Sequence, residues 1–410
     1  MTAYIIGLAC IGVLAVLILW YEKLLKRKGT LLLSLALIAG AMVLRGLCME
    51  HETLDYRDFL SRWVQFFRDN GGVKALSQSV GNYNVPYLYF LALASYSPVR
   101  DLYLIKLFSV LFDVALAWGV LRLSRRFAGV YGRLIVFFAV LYLPTVILNG
   151  AYWGQCDSVY AAFAVWSIVF ALEDKPVRSV AAIALSFAFK LQAVFLMPVF
   201  LIFIFARKMK WYHLGVFPLT YLIVVLPAII AGRPPLDTLL LYWNQAGTVG
   251  SGLNYNSPSM YALVPYGADT EGLSTIGIAA AFAFLLLLFI LCWFKRKSLD
   301  DTVLFVCALL ISTAVPFLLP HMHDRYFFIA DVLSPVFAIV APLFIHVPVC
   351  VSFASLMGYH AYLLRRWFLD RPQSLAWGAF ALLIVLITLV VYLFTLLSNK
   401  KRLTNHRKLV

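Results

Sequence analysis

The polar residues of this 410-residue chain that are equipped for chemistry fall into a few short blocks. Glu50, His51, Glu52, Asp55 and Asp58 crowd one polar stretch. Trp153-Gly154-Gln155-Cys156-Asp157 and Lys190-Leu191-Gln192 stand at the ends of apolar runs. His321-Met322-His323-Asp324-Arg325-Tyr326 stands at another, with Asp331 about one and a half turns into the next helix. Asn254, Tyr255 and Asn256 decorate a later polar loop. A carboxylate beside an acceptor hydroxyl can act as a general base. Arg and Lys can hold a phosphate, Arg bidentately. Helices that end early leave a groove for a lipid tail. These parts suit transfer of a group from a lipid phosphate.

Each block also has a plainer reading. Asp55 and Asp157 are residues favoured as helix N-caps. Lys190 can snorkel to an interface. His321, His323 and Asp324 invite a metal, but alternating positions at a helix end make poor ligand geometry. Lys106 and Asp113, inside one apolar run, suggest a buried pair. Trp and Tyr near helix ends are expected as interfacial belts.

The elements that position these residues follow from composition. The chain is 63% hydrophobic and 13% charged, whereas soluble domains are about half apolar and a quarter charged. Apolar runs long enough to cross a bilayer recur throughout, so a water-soluble fold is excluded. The net charge of +15 does not point to nucleic acid. Its residues cluster in short loops: Lys23, Lys26, Arg27 and Lys28; Arg122, Arg125, Arg126 and Arg133; Arg207, Lys208 and Lys210; Lys295, Arg296 and Lys297. The tail adds Lys400, Lys401, Arg402, Arg407 and Lys408. Such loops read as cytoplasmic anchors that meet anionic lipid headgroups. The first apolar run, 3–20, lacks a basic n-region and a small-residue cleavage site and is expected as a retained span. Cys48 and Cys156 fall near outer helix ends, where an oxidising compartment would permit pairing; the other cysteines lie in apolar runs as small hydrophobes.

With the basic loops inside, the expected fold is all-α: a polytopic bundle of about 11–14 membrane helices forming a single domain over 1–410. Spans at 3–20, 31–48, 102–121, 134–148, 159–172, 211–231, 276–294 and 302–319 are joined by a short hairpin tipped by Lys190 and three C-terminal spans. This puts the N-terminus outside and the C-terminus inside. Segment 86–95 is too short to cross and reads as re-entrant or interfacial. Two long outer loops, 49–84 and 232–274, remain. Within the first, 55–69 reads as an amphipathic surface helix with Tyr56, Phe59, Leu60, Trp63 and Phe67 on one face. The blocks with chemistry all fall on the outer side, where ionisable groups near hydrocarbon mark function.

Together these segments resemble the GT-C superfamily of membrane glycosyltransferases, in particular bacterial mannosyltransferase-like proteins related to the second mannosyltransferase of GPI-anchor synthesis. The resemblance is carried by Asp55-Tyr56-Arg57-Asp58-Phe59 with Trp63, Asn84-Val85-Pro86-Tyr87-Leu88-Tyr89, Trp153-Gly154-Gln155-Cys156-Asp157-Ser158, Lys190-Leu191-Gln192 and His321–Tyr326. It implies a polyprenyl-phosphate-sugar donor, an acceptor hydroxyl at the extracytoplasmic face, hexose transfer with inversion, and Asp55 as general base. Arg325 and Lys190 would hold the donor phosphate. Gln192, Asp157, Gln155, Trp153, His323, Asp324, Tyr326 and Asp58 would complete the substrate site. Two positions depart from the pattern: Asn84-Val85-Pro86 where relatives show Tyr-Pro-Pro, and Asp324 where they show Glu. These departures leave donor and acceptor choice open, and Glu50, Glu52 and Asp58 stay as rival bases. No obligatory cofactor is expected, with a divalent metal as the alternative. The acceptor would be a glycan, a glycolipid or a wall polymer. The setting would be a bacterial plasma membrane, or the endoplasmic reticulum in a eukaryote. A transporter or flippase is the main rival reading, but the chain shows no internal repeat and its polar groups gather at one face. A non-catalytic assembly protein would have no reason to collect carboxylates in one loop.

Overall fold

A chain this apolar must satisfy its backbone polar groups internally, and the helix does so within each segment. The computed structural model describes residues 2–246, 252–265, 270–363 and 369–406. Parts of the 232–274 loop (247–251 and 266–269), together with Arg407 and Lys408 of the basic tail, lie outside the described residues. Helices α1 (Thr2–Tyr21) and α2 (Lys28–Cys48) form an antiparallel pair. A wide turn, Tyr56–Leu60, leads into α3 (Ser61–Asp69), followed by α4 (Val85–Ala94) and α5 (Asp101–Ser124). Next come α6 (Val130–Tyr142), α7 (Pro144–Ile147) with a wide turn at Leu148–Trp153, α8 (Asp157–Leu172), α9 (Pro176–Phe189) and α10 (Val199–Phe205). The second half holds α11 (Val216–Ile230), α12 (Pro235–Leu239), α13 (Leu241–Ala246), α14 (Thr270–Phe294) and α15 (Asp301–Leu318). It closes with α16 (Phe328–Val340), α17 (His346–Leu363) and α18 (Arg371–His406).

Among the described residues, eight helical segments are long and apolar enough to cross a membrane. A ninth is the α6–α7 unit, which bends by 45°. Pro144 explains the bend, because it cannot donate into the preceding turn; the sequence had suggested one straight span there. Five shorter apolar helices complete the multi-pass, all-α bundle. One of them, α8, is buried on nearly every face between α5, α9 and α16. Another is α4, which at ten residues is about 15 Å long. Asn84 starts it by accepting from the Val85 N–H at 2.8 Å.

The basic loops meet at one end of the bundle. There Glu22 pairs with Arg122 at 3.1 Å and with Arg133, and Arg122 also bonds Glu173 at 2.7 Å. Asp301 joins Arg126 at 3.3 Å and Lys208 at 3.1 Å. Asp55, Trp153, Gln155, Lys190 and Arg325 gather at the other end.

Several expected pairings resolve differently. Asp113 bonds Arg45 of α2 at 2.9 Å instead of Lys106. The Lys106 ammonium donates to the carbonyls of Cys48 at 2.7 Å and His51 at 2.6 Å, capping the C-terminal end of α2. Cys48 and Cys156 are free thiols. In the 55–69 segment Phe59 is exposed and Val64 is buried. The wide Tyr56–Leu60 turn holds more residues per turn than an α-helix, so it slips the phase of the apolar face.

Candidate active site

The site forms where several chain segments meet. The loop after α2, tied down by Lys106, delivers Asp55. The wide turn after α7 ends at Gly154, whose φ of +82° favours a residue without Cβ. That turn aims the side chains on both sides of Gly154 at one target. Trp153 Nε1 donates to Asp55 Oδ2 at 2.9 Å, and Gln155 Nε2 donates to the same oxygen at 2.6 Å. The turn itself is pinned: the Thr53 hydroxyl donates to the Trp153 carbonyl at 3.0 Å, and the Ser109 hydroxyl to the Gln155 carbonyl at 2.7 Å. Tyr83 donates to Gln155 Oε1 at 3.1 Å, fixing the amide orientation. The Tyr362 hydroxyl donates to Asp55 Oδ1 at 2.6 Å.

Asp55 caps nothing; its backbone is helical and its side chain makes no bond to the following turn. Asp157 occupies the first helical position of α8, with Cys156 at the cap. Its buried carboxylate pairs with Lys190 and accepts from Asn149 Nδ2 at 2.6 Å. Lys190 is therefore buried and engaged, not extended towards an interface.

Arg325 comes from the loop between α15 and α16. Tyr255 and Asn254 pair in parallel with His323 and Met322, anchoring this block to the second long loop. The Arg325 guanidinium carbon lies 4.6 Å from the Trp153 ring centre. Its nearest carboxylates are Asp324 at 3.6 Å and Asp55 at 3.9 Å. Arg325 Nε and Nη1 are buried and have no hydrogen-bond acceptor among the described residues. Buried donors without a hydrogen-bond acceptor are costly; each of these two faces a carboxylate only at ion-pair distance, Nε that of Asp324 and Nη1 that of Asp55.

Burial alone would depress Arg325, but Asp157, Asp324 and Asp55 hold it protonated well above its ordinary range. Burial pushes Asp324 up to about 7, with Arg325 opposing and Asp157 and Asp55 adding to the rise. Burial, reinforced by Arg325 and Lys190, pushes His323 down to about 4, so its ring is neutral near pH 7. It stacks on Tyr255 at 4.8 Å and lies 5.3 Å from Tyr326. Gln192 faces the Tyr326 hydroxyl, and its Oε1 is buried without a partner among the described residues.

The structure thus brings together Asp55, Trp153, Gln155, Asp157, Lys190, Gln192, His323, Asp324, Arg325 and Tyr326. It does not bring in Asp58, which is half-exposed and pairs with Arg62 one turn on at 3.7 Å. Glu50 and Glu52, the other rival bases, are tied to Arg100, and Glu52 also to Arg57 at 3.1 Å. Asp331 is buried inside α16, where it faces Ser355 and Thr145. The two histidines diverge: His321 bonds the Gly252 carbonyl at 2.7 Å while His323 stacks on Tyr255. Among the described residues, no group of three or more His, Cys, Asp or Glu is spaced to hold a metal.

Sequence reasoning missed Tyr362, Asn149 and Tyr83. An Asn inside the apolar run 134–148 extended by one residue was the available signal for Asn149. Tyr362 carried none, being an aromatic at a helix end.

A strongly apolar groove of about 840 Å³ runs between α9, α10, α11 and α14, lined by Ile183, Met197, Phe200, Phe217, Leu286 and Phe289 among others. Its lining brackets Gln192 in the chain, with Val180 and Ile183 before it and Met197 after it.

Neither the protein-family comparison nor the comparison with curated proteins yields a match. Among solved structures, the chain is similar to ArnT from Cupriavidus metallidurans bound to undecaprenyl phosphate, with a TM-score of 0.55 at 12% identity. The alignment covers 89% of this chain and 77% of that one. The likeness is one of fold.

Proposed function

We propose that the chain is a membrane glycosyltransferase that takes a sugar from a polyprenyl-phosphate carrier, with Asp55 as general base. The observation that carries this reading is the juxtaposition of Asp55 with the buried Arg325 guanidinium 3.9 Å away, two of whose donors have no hydrogen-bond acceptor among the described residues. One group is suited to remove a proton from a hydroxyl, and the other to hold a phosphate. The similarly folded ArnT binds undecaprenyl phosphate, which supports a polyprenyl carrier here. The apolar groove between α9, α10, α11 and α14 suits its tail.

In the proposed reaction the acceptor oxygen attacks the anomeric carbon as Asp55 takes its proton. The new carbon–oxygen bond forms while the bond from that carbon to the phosphate oxygen breaks. The electron pair leaves with the polyprenyl phosphate, and a single displacement inverts the centre. Proton uptake neutralises Asp55 while the phosphate gains one charge, so the total charge of the site is unchanged. Arg325 supports the growing phosphate charge in a buried site, where such contacts are strongest. Lys190 and Asp157 fix the second side of the pocket. The leaving group is a phosphate with cationic partners at hand, so the proposed mechanism requires no metal. The sugar is proposed to be a hexose, and kinship with mannosyltransferase-like proteins rests on the sequence blocks alone. The proposed setting is the extracytoplasmic face of a bacterial plasma membrane, opposite the basic loops.

Transfer of labelled sugar from a panel of polyprenyl-phosphate hexoses, using purified protein in liposomes, tests the reading. Consumption of one donor by wild type and not by Asp55→Asn is the expected result. If no donor is consumed but the labelled lipid crosses the bilayer, the flippase reading replaces it.

A further inference from the structure

Beside Asp55 lies a second, polar hollow of about 340 Å³ whose walls include His51, Glu52, Thr53, Arg57, Tyr152 and Tyr362. We infer that this hollow is the acceptor site and that it takes a neutral, hydroxyl-rich sugar residue, an inference that rests on the transferase reading above. Three observations converge on it.

The first is the division of the Asp55 carboxylate. Oδ2 is held by Trp153 and Gln155 and faces Arg325 at 3.9 Å. Oδ1 is held by the Tyr362 hydroxyl at 2.6 Å, and Tyr362 is a wall of the hollow. The two oxygens therefore face two different partners, Oδ2 the Arg325 guanidinium and Oδ1 the Tyr362 wall of the hollow. An acceptor hydroxyl arriving from the hollow bonds Oδ1 beside the Tyr362 hydroxyl, on that oxygen's second lone pair, and gives its proton there.

The second is shape. At about 340 Å³ the hollow sits at the small end of ligand pockets, which run from about 300 to 1,000 Å³. It has room for one sugar residue at the end of a longer molecule, not for a lipid tail. The rings of His51 and Tyr152 stack at 3.8 Å with an angle of 15°, building a flat aromatic surface. Sugar rings present a face of C–H groups that packs on such a surface while their edges hydrogen-bond. Glu52, Arg57 and the Tyr362 hydroxyl supply those edge partners.

The third is charge. Arg57 Nε is bonded to Glu52 at 3.1 Å, and Glu52 is paired again with Arg100. Asp55, bonded to the Tyr362 wall, adds a further negative charge. An acceptor bearing phosphate or carboxylate at this position would meet a guanidinium whose charge Glu52 already offsets and a carboxylate in front of it. A neutral polyol meets neither obstacle.

The test uses the full chain in nanodiscs and saturation-transfer NMR with methyl glycosides of glucose, mannose, galactose and N-acetylglucosamine, with glycerol 3-phosphate as the anionic counterpart. Undecaprenyl phosphate affinity is measured in parallel, which also reports that each variant is folded. At least one methyl glycoside should bind to wild type. Leu54→Trp, which fills the hollow from an exposed wall position, and Tyr152→Leu, which removes the flat surface, should each weaken it by about tenfold. Undecaprenyl phosphate affinity should stay at the wild-type value in both. Glycoside binding that survives both substitutions overturns the assignment, as does exclusive binding of glycerol 3-phosphate. Undecaprenyl phosphate binding with no glycoside binding overturns the pocket and leaves the transferase reading standing. Glycoside binding with no affinity for undecaprenyl phosphate overturns the transferase reading and the acceptor role with it.

Discussion

The Tyr362 hydroxyl donates to Asp55 Oδ1 at 2.6 Å across 307 positions of sequence. Its ring stacks on Trp153 at 4.6 Å, and Trp153 donates to the other oxygen of the same carboxylate. Asp55 is thus aimed from both sides by groups that lock each other. In Tyr362→Phe the ring stack remains and only the bond to a charged group is lost, a change worth about 1.5–3 kcal/mol. Sugar transfer should fall about ten- to hundredfold while undecaprenyl phosphate affinity is unchanged. Asp55→Asn should lower transfer by about 10²–10⁴-fold. Single-turnover transfer with saturating donor separates the two, and equal rates for wild type and Asp55→Asn would end the assignment of the base.

Arg325 offers a different kind of evidence, because two of its buried donors lack hydrogen-bond acceptors among the described residues. A planar fork matches a phosphate and a point charge does not. Arg325→Lys preserves the charge near Asp55 and Asp324 but loses the fork and the face against Trp153. Donor KM should rise about ten- to hundredfold, in line with the worth of charge-assisted hydrogen bonds. Initial rates against donor concentration give the split; a fall in kcat alone would place Arg325 outside donor recognition.

Asp324 makes the site sensitive to pH. A carboxyl in the unfolded chain titrates near 4, whereas burial pushes Asp324 up to about 7. Its contribution to stability is complete below about pH 4 and is lost as pH rises to about 7, because the folded state keeps a proton the unfolded state releases. Thermal unfolding in detergent should therefore show a fall in Tm between pH 5 and pH 7.5 that Asp324→Asn flattens. Ionised Asp324 also competes for Arg325, from which it lies 3.6 Å away. Affinity for a polyprenyl-phosphate-sugar diester, whose own charge is constant in this range, should weaken in wild type as pH passes about 7 and stay level in Asp324→Asn. Parallel curves for the two proteins would remove Asp324 from donor binding.

The blocks that build the site were legible because polar groups at the ends of apolar runs are costly and so stand out. Their partners were less so. Lys106 and Asp113 share one face of α5, yet Lys106 closes α2 and Asp113 meets Arg45, because the bundle brings α2 closer to each than they are to one another. Spacing within a helix says nothing about which neighbour arrives from 68 positions away. Phe59 fell on the wrong side because 3.6-residue periodicity does not hold through a wide turn. Tyr362 looked like any aromatic at a membrane interface. Its role is set by the return of α17 to the start of the chain, a tertiary fact with no local trace.

Lys190 and Asp157 separate structure from recognition most sharply, since the same ammonium serves the fold and is proposed to serve the donor. Both side chains are buried and pair with each other. Removing one leaves an uncompensated buried charge, at a cost of about 3–5 kcal/mol, whereas removing both leaves none. Lys190→Met should therefore lower Tm strongly, and the double variant Lys190→Met/Asp157→Asn should recover most of the loss. If the ammonium also holds the donor phosphate, the double variant will be stable but bind undecaprenyl phosphate about tenfold more weakly, the worth of one charged contact at an already cationic site. Recovery of both stability and affinity in the double variant would reduce Lys190 to a partner of Asp157 and leave donor recognition to Arg325.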